Sequence, residues 1–124
     1  NEKVRLACRM YLEYLDLGGR VRMQDVTPQL LRTLLKRRLP ILCGLSATFL
    51  YREPRETPSG KPDDVGGEPA GHFVVLSGYD PLLRKVYVTD PLHPNPLAVT
   101  HTYLVPIDRV TGAIFLGVLT FDAN

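Results

Sequence analysis

His72 and Asp90 are the residues of this sequence best placed to do chemistry. His72 opens the run Phe73-Val74-Val75-Leu76-Ser77-Gly78-Tyr79-Asp80, and Asp90 closes Val86-Tyr87-Val88-Thr89 just before Pro91. Both runs are short, β-branched and aromatic, and bounded by Gly and Pro, which reads as two strands. A hairpin about Pro81 sets His72 opposite Asp90 on one side of the sheet, with Cβ atoms about 5 Å apart. A carboxylate that accepts a ring N–H fixes the tautomer of an imidazole and stabilises its cation. Such a pair activates a thiol or hydroxyl nucleophile. The spacing supplies a base and its orienter, but no nucleophile.

Neither cysteine fills that gap. Cys8 lies well inside a helical pattern, a turn or more from the helix start, and Cys43 sits among Ile, Leu and Gly in a strand-like run without a neighbouring cation. A reactive thiol needs a helix N-terminus or a positive neighbour to lower its pKa. Free cysteine is also among the most buried residue types, so both are expected to be structural. Ser46, Ser59 and Ser77 lack a nucleophile-elbow context. A metal is the rival chemistry. Asp90 and His93 are three apart, His72 is near, and His101 approaches from the next strand, a ligand set for zinc or iron. The proline-stiffened turn Pro91-Leu92-His93-Pro94 does not converge such ligands as a helix does, so no metal or other cofactor is expected. Gly66-Gly67 stands in an acidic setting that repels phosphate.

The elements that must position these residues follow from periodicity. Residues 3–17 carry Val4, Ala7, Met10, Tyr11, Tyr14 and Leu17 at helical spacing, and Gly18-Gly19 stops them. Thr27-Pro28 caps and opens a second helix with Leu30, Leu31, Leu34 and Leu35 on one face, which Pro40 ends. Residues 41–51 read as a buried strand that Gly44 can break. Residues 52–71 hold four prolines, four glycines and eight charged side chains, which makes a long surface loop or flap. The hairpin follows, then strands at 101–105 and 113–121. Helices first and strands after predict an α+β fold, two N-terminal helices packed on a mostly antiparallel sheet of about five strands. Both hairpin faces are apolar: Val74, Leu76, Val86 and Val88 on one, Phe73, Val75 and Tyr87 on the other. Each needs a cover, the helices on one side and the long loop or further chain on the other.

With 124 residues and 44% hydrophobic content, a single domain over residues 1–124 is expected. No apolar run is long enough for a membrane span. Two cysteines form no disulfide framework, which points to a reducing, cytoplasmic setting. Residues 1–38 hold nine Lys/Arg against four Asp/Glu, and residues 39–124 hold six against nine. The basic residues are scattered without an aromatic series, so solvated helix faces are expected rather than a nucleic-acid surface. The chain opens on Asn1, not Met, and closes on Phe121-Asp122-Ala123-Asn124 without an evident terminator, as expected of a fragment, a processed chain or a domain excised from a longer parent chain that can carry additional domains.

His72-Phe73-Val74-Val75-Leu76 with Gly78-Tyr79-Asp80, and Val86-Tyr87-Val88-Thr89-Asp90-Pro91, resemble the His and Asp blocks of C39-like peptidase domains, which are papain-like cysteine peptidases. Pro40-Ile41-Leu42-Cys43-Gly44-Leu45 is similar to the strand before the His block, and Ile114 to Phe121 to the end of the stand-alone C39-like group. The resemblance spans residues 28–124 and implies a papain-like fold that hydrolyses peptide or amide bonds of a peptide or protein substrate. It makes His72 the general base and later the acid, and Asp90 its orienter. It also calls for a Cys at a helix start in a Cys-Gly-Pro-like context with a Gln upstream, and neither is present; the only glutamines are Gln24 and Gln29. Three expectations follow in order: the nucleophile lies upstream of Asn1, the chain being the C-terminal part of the domain; the pair is vestigial in a non-catalytic peptide-binding module; or Cys8 or Cys43 has taken over.

Overall fold

The computed structural model describes residues 1–121; the closing Asp122-Ala123-Asn124 lie outside the described residues. The elements run α1 (Glu2–Asp16), α2 (Pro28–Lys36), β1 (Ile41–Ser46), α3 (Ala47–Tyr51), β2 (Gly71–Asp80), β3 (Lys85–Thr89), β4 (Thr102–Pro106) and α4 (Ile107–Phe121). The four strands form one antiparallel sheet in chain order, β1-β2-β3-β4. The α+β class and the antiparallel sheet are therefore as the sequence predicts, with four strands among the described residues rather than about five.

The fifth expected strand is the second half of α4. Residues 113–119 form a nearly unbroken apolar run, which cannot be told from a strand by hydrophobicity alone. The longer window resolves it. Ile107, Val110, Ala113, Ile114 and Gly117 recur at helical spacing and all are buried. This helix packs on the sheet chiefly along β1. Gly117 permits the approach, since a Cβ there would stand 2.6 Å from the Leu45 Cα.

Residues 41–51 also differ from the single expected strand. Gly44 continues β1, and the change comes at Ser46, whose hydroxyl accepts the Phe49 N–H and caps the short α3. Leu50 and Tyr51 of α3 are thereby turned into the core. Of the two N-terminal helices, α2 packs against β2 and buries Leu31 and Leu35. Thr27 Oγ1 caps it by accepting the Leu30 N–H, with Pro28 in the first turn. Helix α1 buries no side chain, and Gly18 ends it at a φ of +87°. Cys8, expected to be buried, is consequently exposed.

The core lies on one face of the sheet. Leu45, Val74, Leu76, Val86, Val88, Tyr103 and Val105 face α2, α3 and α4. The other face stays open, with Leu42, Phe73 and Tyr87 exposed. The long loop, expected as a possible cover for it, folds on itself instead. Glu56 and Glu68 exchange backbone hydrogen bonds, and Asp63 Oδ1 accepts the N–H groups of Val65 and Gly66. The loop is tied back to α3 by the Ala47 N–H on the Ala70 carbonyl and the Ala70 N–H on Thr48 Oγ1. Among the described residues, no helix is long and apolar enough to cross a membrane.

Candidate functional site

His72 stands on β2 opposite Leu45 of β1, on the core face of the sheet. Asp90 follows the last residue of β3. Val75 pairs with Thr89, so the next step of the ladder sets Asp90 opposite Val74, two residues from His72. The expected direct opposition is thus a diagonal one. The two residues remain on the same face, and side chains of this length bridge a diagonal pair. His72 Nε2 lies 2.8 Å from Asp90 Oδ1.

A bulge makes this possible. Near the turn, Gly78 pairs with Tyr87 and Asp80 with Lys85; beyond it, Leu76 pairs with Val88, and Ser77 is the extra residue. Continued without the bulge, the register of the turn would set Asp90 opposite Val75 and His72 on the far face of the sheet. One additional residue restores the alternation.

The carboxylate is fully buried and has four donors. Oδ1 accepts from His72 Nε2 and, at 2.9 Å, from the Leu92 N–H. Oδ2 accepts from the Tyr51 hydroxyl at 2.7 Å and the Tyr103 hydroxyl at 2.5 Å. Burial alone would raise the Asp90 carboxyl; the hydrogen bonds from His72, Tyr103, Tyr51 and Leu92 outweigh it and hold the group below the usual carboxylate range. Burial, and after it the hydrogen bonds to Asp90, push both tyrosines well above the ordinary phenol range. An ionised Asp90 therefore accepts from two neutral phenols, and it needs the imidazole N–H on Nε2. This leaves Nδ1 of the half-buried His72 as the basic nitrogen.

The segment after Asp90 is clasped so that the carboxylate cannot drift. The Asp90 N–H donates to the His101 carbonyl, and His101 Nδ1 lies 2.8 Å from the Asp90 carbonyl oxygen. Buried Asn95 donates to the Leu92 and Thr100 carbonyls and accepts from the N–H groups of Leu97 and Ala98. Tyr51, Tyr103 and Asn95 have no role in the sequence reading. Tyr103 had a signal there. It pairs with Val88, two residues from Asp90, and so shares the Asp90 face. Tyr51 had none, because it reaches the carboxylate only through the helical turn at Ser46.

The two thiols are placed differently. Cys43 pairs with Val74 and shares the face of His72, but its Sγ contacts the Val74 carbonyl oxygen at 3.8 Å. Burial pushes this thiol up to about 11, so it is protonated at neutral pH and a poor nucleophile. Cys8 lies on exposed α1. The metal set does not assemble around Asp90. His93 stacks on His101 with ring centroids 4.4 Å apart, and no three His, Cys, Asp or Glu side chains gather as ligands among the described residues.

A cleft of about 770 Å³ lies between the long loop, α3 and α4. Its lining includes Ser46, Phe49, Arg52, Arg55, Asp64 and Arg109. It reaches the strand end that carries His72, since Ser46 pairs with Gly71. Among the described residues no Lys or Arg side chain lies within 4 Å of a carboxylate, so the cleft's charges do not neutralise one another directly.

An α+β domain built on an open antiparallel sheet is the fold class expected of a papain-like, C39-like domain. The chain belongs to the Peptidase_C39 like family, whose model matches residues 9–109. The match takes in β1 to β4 and about half of α1, and it ends before the run from Ile114 to Phe121. No curated protein and no solved structure matches the chain.

Proposed function

We propose that residues 1–124 supply the base half of a C39-like cysteine peptidase site, with His72 as general base and then acid, and Asp90 as its orienter. The observation that carries this reading is the 2.8 Å contact between His72 Nε2 and a carboxylate already held by three other donors. In the reaction, Nδ1 takes the proton of a thiol as its sulfur adds to the carbonyl carbon of a peptide bond. The same nitrogen returns that proton to the leaving amine when the carbon–nitrogen bond breaks. Water then cleaves the thioester, using His72 as base once more. The thiol comes from sequence outside residues 1–124, because Cys43 is held protonated and Cys8 stands on a helix that buries none of its side chains. Free thiols fit a reducing, cytoplasmic setting.

The test is hydrolysis of a peptide library by residues 1–124 and by the same chain extended through the sequence preceding Asn1 in its gene. The expected result is no turnover by the first and turnover by the second, abolished by His72→Ala. Turnover by residues 1–124 that survives His72→Ala, or an extended chain whose turnover ignores it, refutes the assignment.

A second reading, a non-catalytic peptide-binding module, is favoured by the cleft under the long loop, whose charges of both signs suit an extended polar peptide. It predicts peptide binding by fluorescence polarisation that is unchanged in His72→Ala and weakened at least tenfold in Arg55→Glu/Arg109→Glu. Equal binding by parent and charge-reversed chains excludes that cleft.

A further inference from the structure

The two tyrosines on Asp90 do more than fill the core. Tyr51 comes from α3 and Tyr103 from β4, and both hydroxyls converge on Oδ2, the carboxylate oxygen that His72 does not use. Either ring could be buried as phenylalanine without a polar group to satisfy. As tyrosines, they fix the rotation of the carboxylate, so that Oδ1 and not Oδ2 is presented to β2. Donors on one carboxylate also compete for the same electron density, so each phenol O–H draws charge away from the bond to His72. The groups facing Asp90 are thus His72 from β2, Tyr51 from α3, Tyr103 from β4 and the Leu92 N–H from its own loop; His101 meets its backbone carbonyl.

We propose that Tyr51 and Tyr103 are positioning residues that set the strength of the His72 hydrogen bond, acting through Asp90 without touching the imidazole nitrogens. The proposal rests on the reading of His72 as the base, but the measurement that tests it needs no substrate and no nucleophile. It therefore stands or falls separately from peptidase activity.

The experiment is a long-range ¹H–¹⁵N correlation spectrum of the histidine rings, recorded on the alkaline side of imidazole titration, where the carbon-bound protons report both nitrogens whether or not the N–H exchanges. The parent is expected to show His72 as one tautomer, with Nε2 in the protonated range and Nδ1 in the lone-pair range. Tyr51→Phe and Tyr103→Phe keep the rings, and each is expected to move the His72 Nε2 resonance downfield as its bond to Oδ1 strengthens. The His93 resonances should stay in place. If both folded single variants superimpose on the parent at His72, or if the parent carries its proton on Nδ1, the tyrosines are structural only and the proposal fails. Should one variant not fold, as judged by circular dichroism, the other decides.

Discussion

Replacing Asp90 by Asn tests the central geometry most directly, because it removes the charge and keeps the shape. Leu92 N–H can only donate, so the Asn oxygen must take the Oδ1 position, where it still accepts from Leu92 and His72. The amide NH₂ then occupies the Oδ2 position and faces the two phenols, whose hydroxyls must rotate to accept. Four bonds to a carboxylate become four neutral ones. A hydrogen bond to a charged group contributes about 1.5–3 kcal/mol and a neutral one about 0.5–1.5, so the gross loss over four bonds is about 5 kcal/mol. Relief from burying a charge returns part of this, which leaves a net destabilisation of about 2–3 kcal/mol. Urea unfolding at pH 7 should show it as a lower midpoint with an unchanged slope. The pH dependence gives a second check. The folded Asp90 carboxyl lies below its unfolded value of about 3.9, so its contribution is complete above that pH and is lost as the pH falls through the folded value. The gap between parent and Asp90→Asn should therefore narrow below about pH 4. A variant within about 0.5 kcal/mol of the parent at pH 7, a spread ordinary for surface changes, would refute the reasoning; so would a gap that widens toward acid.

Other expectations rest on separate features. The phenols of Tyr51 and Tyr103 sit well above the ordinary range, so the stability they contribute is full below about pH 10 and is lost as the pH rises through their folded values. Absorbance titration should show two of the six tyrosines resisting ionisation while the fold holds, and both ionising at lower pH in Asp90→Asn. Iodoacetamide at neutral pH should alkylate exposed Cys8 in the native chain and reach Cys43 only in denaturant, as read by peptide mass spectrometry, because burial holds the Cys43 thiol at about 11. Native-state labelling of Cys43 at the Cys8 rate would contradict that burial. Gly117→Ala gains about 1 kcal/mol of helix propensity, but its Cβ would stand 2.6 Å from Leu45 Cα and 2.8 Å from the Leu45 carbonyl carbon. Overpacking against backbone should win, for a net loss of about 1–2 kcal/mol in thermal or urea unfolding.

The strand runs around His72 and Asp90 were legible because alternation of apolar residues is a local property of the chain. So were the cap Thr27 and the glycine stop at Gly18, which depend on near neighbours. The same local reading misplaced residues 113–121, since an apolar run fits a buried strand and a buried helix equally until its packing partner is known. It also gave α1 a place on the sheet, although an amphipathic pattern specifies a face to bury and not the surface that receives it.

Local pattern shows which residue types stand at the strand ends and that a base and a carboxylate can share a face. It could not determine that they meet. A single residue of register decides the face, and the bulge at Ser77 supplies that residue through pairing between strands, which local periodicity does not contain. Nor could it reveal Tyr51 and Tyr103, drawn to Asp90 from positions 39 and 13 residues away. Their convergence is a product of packing α3 and β4 around one buried carboxylate. Only the tertiary structure brings together donors so distant along the chain.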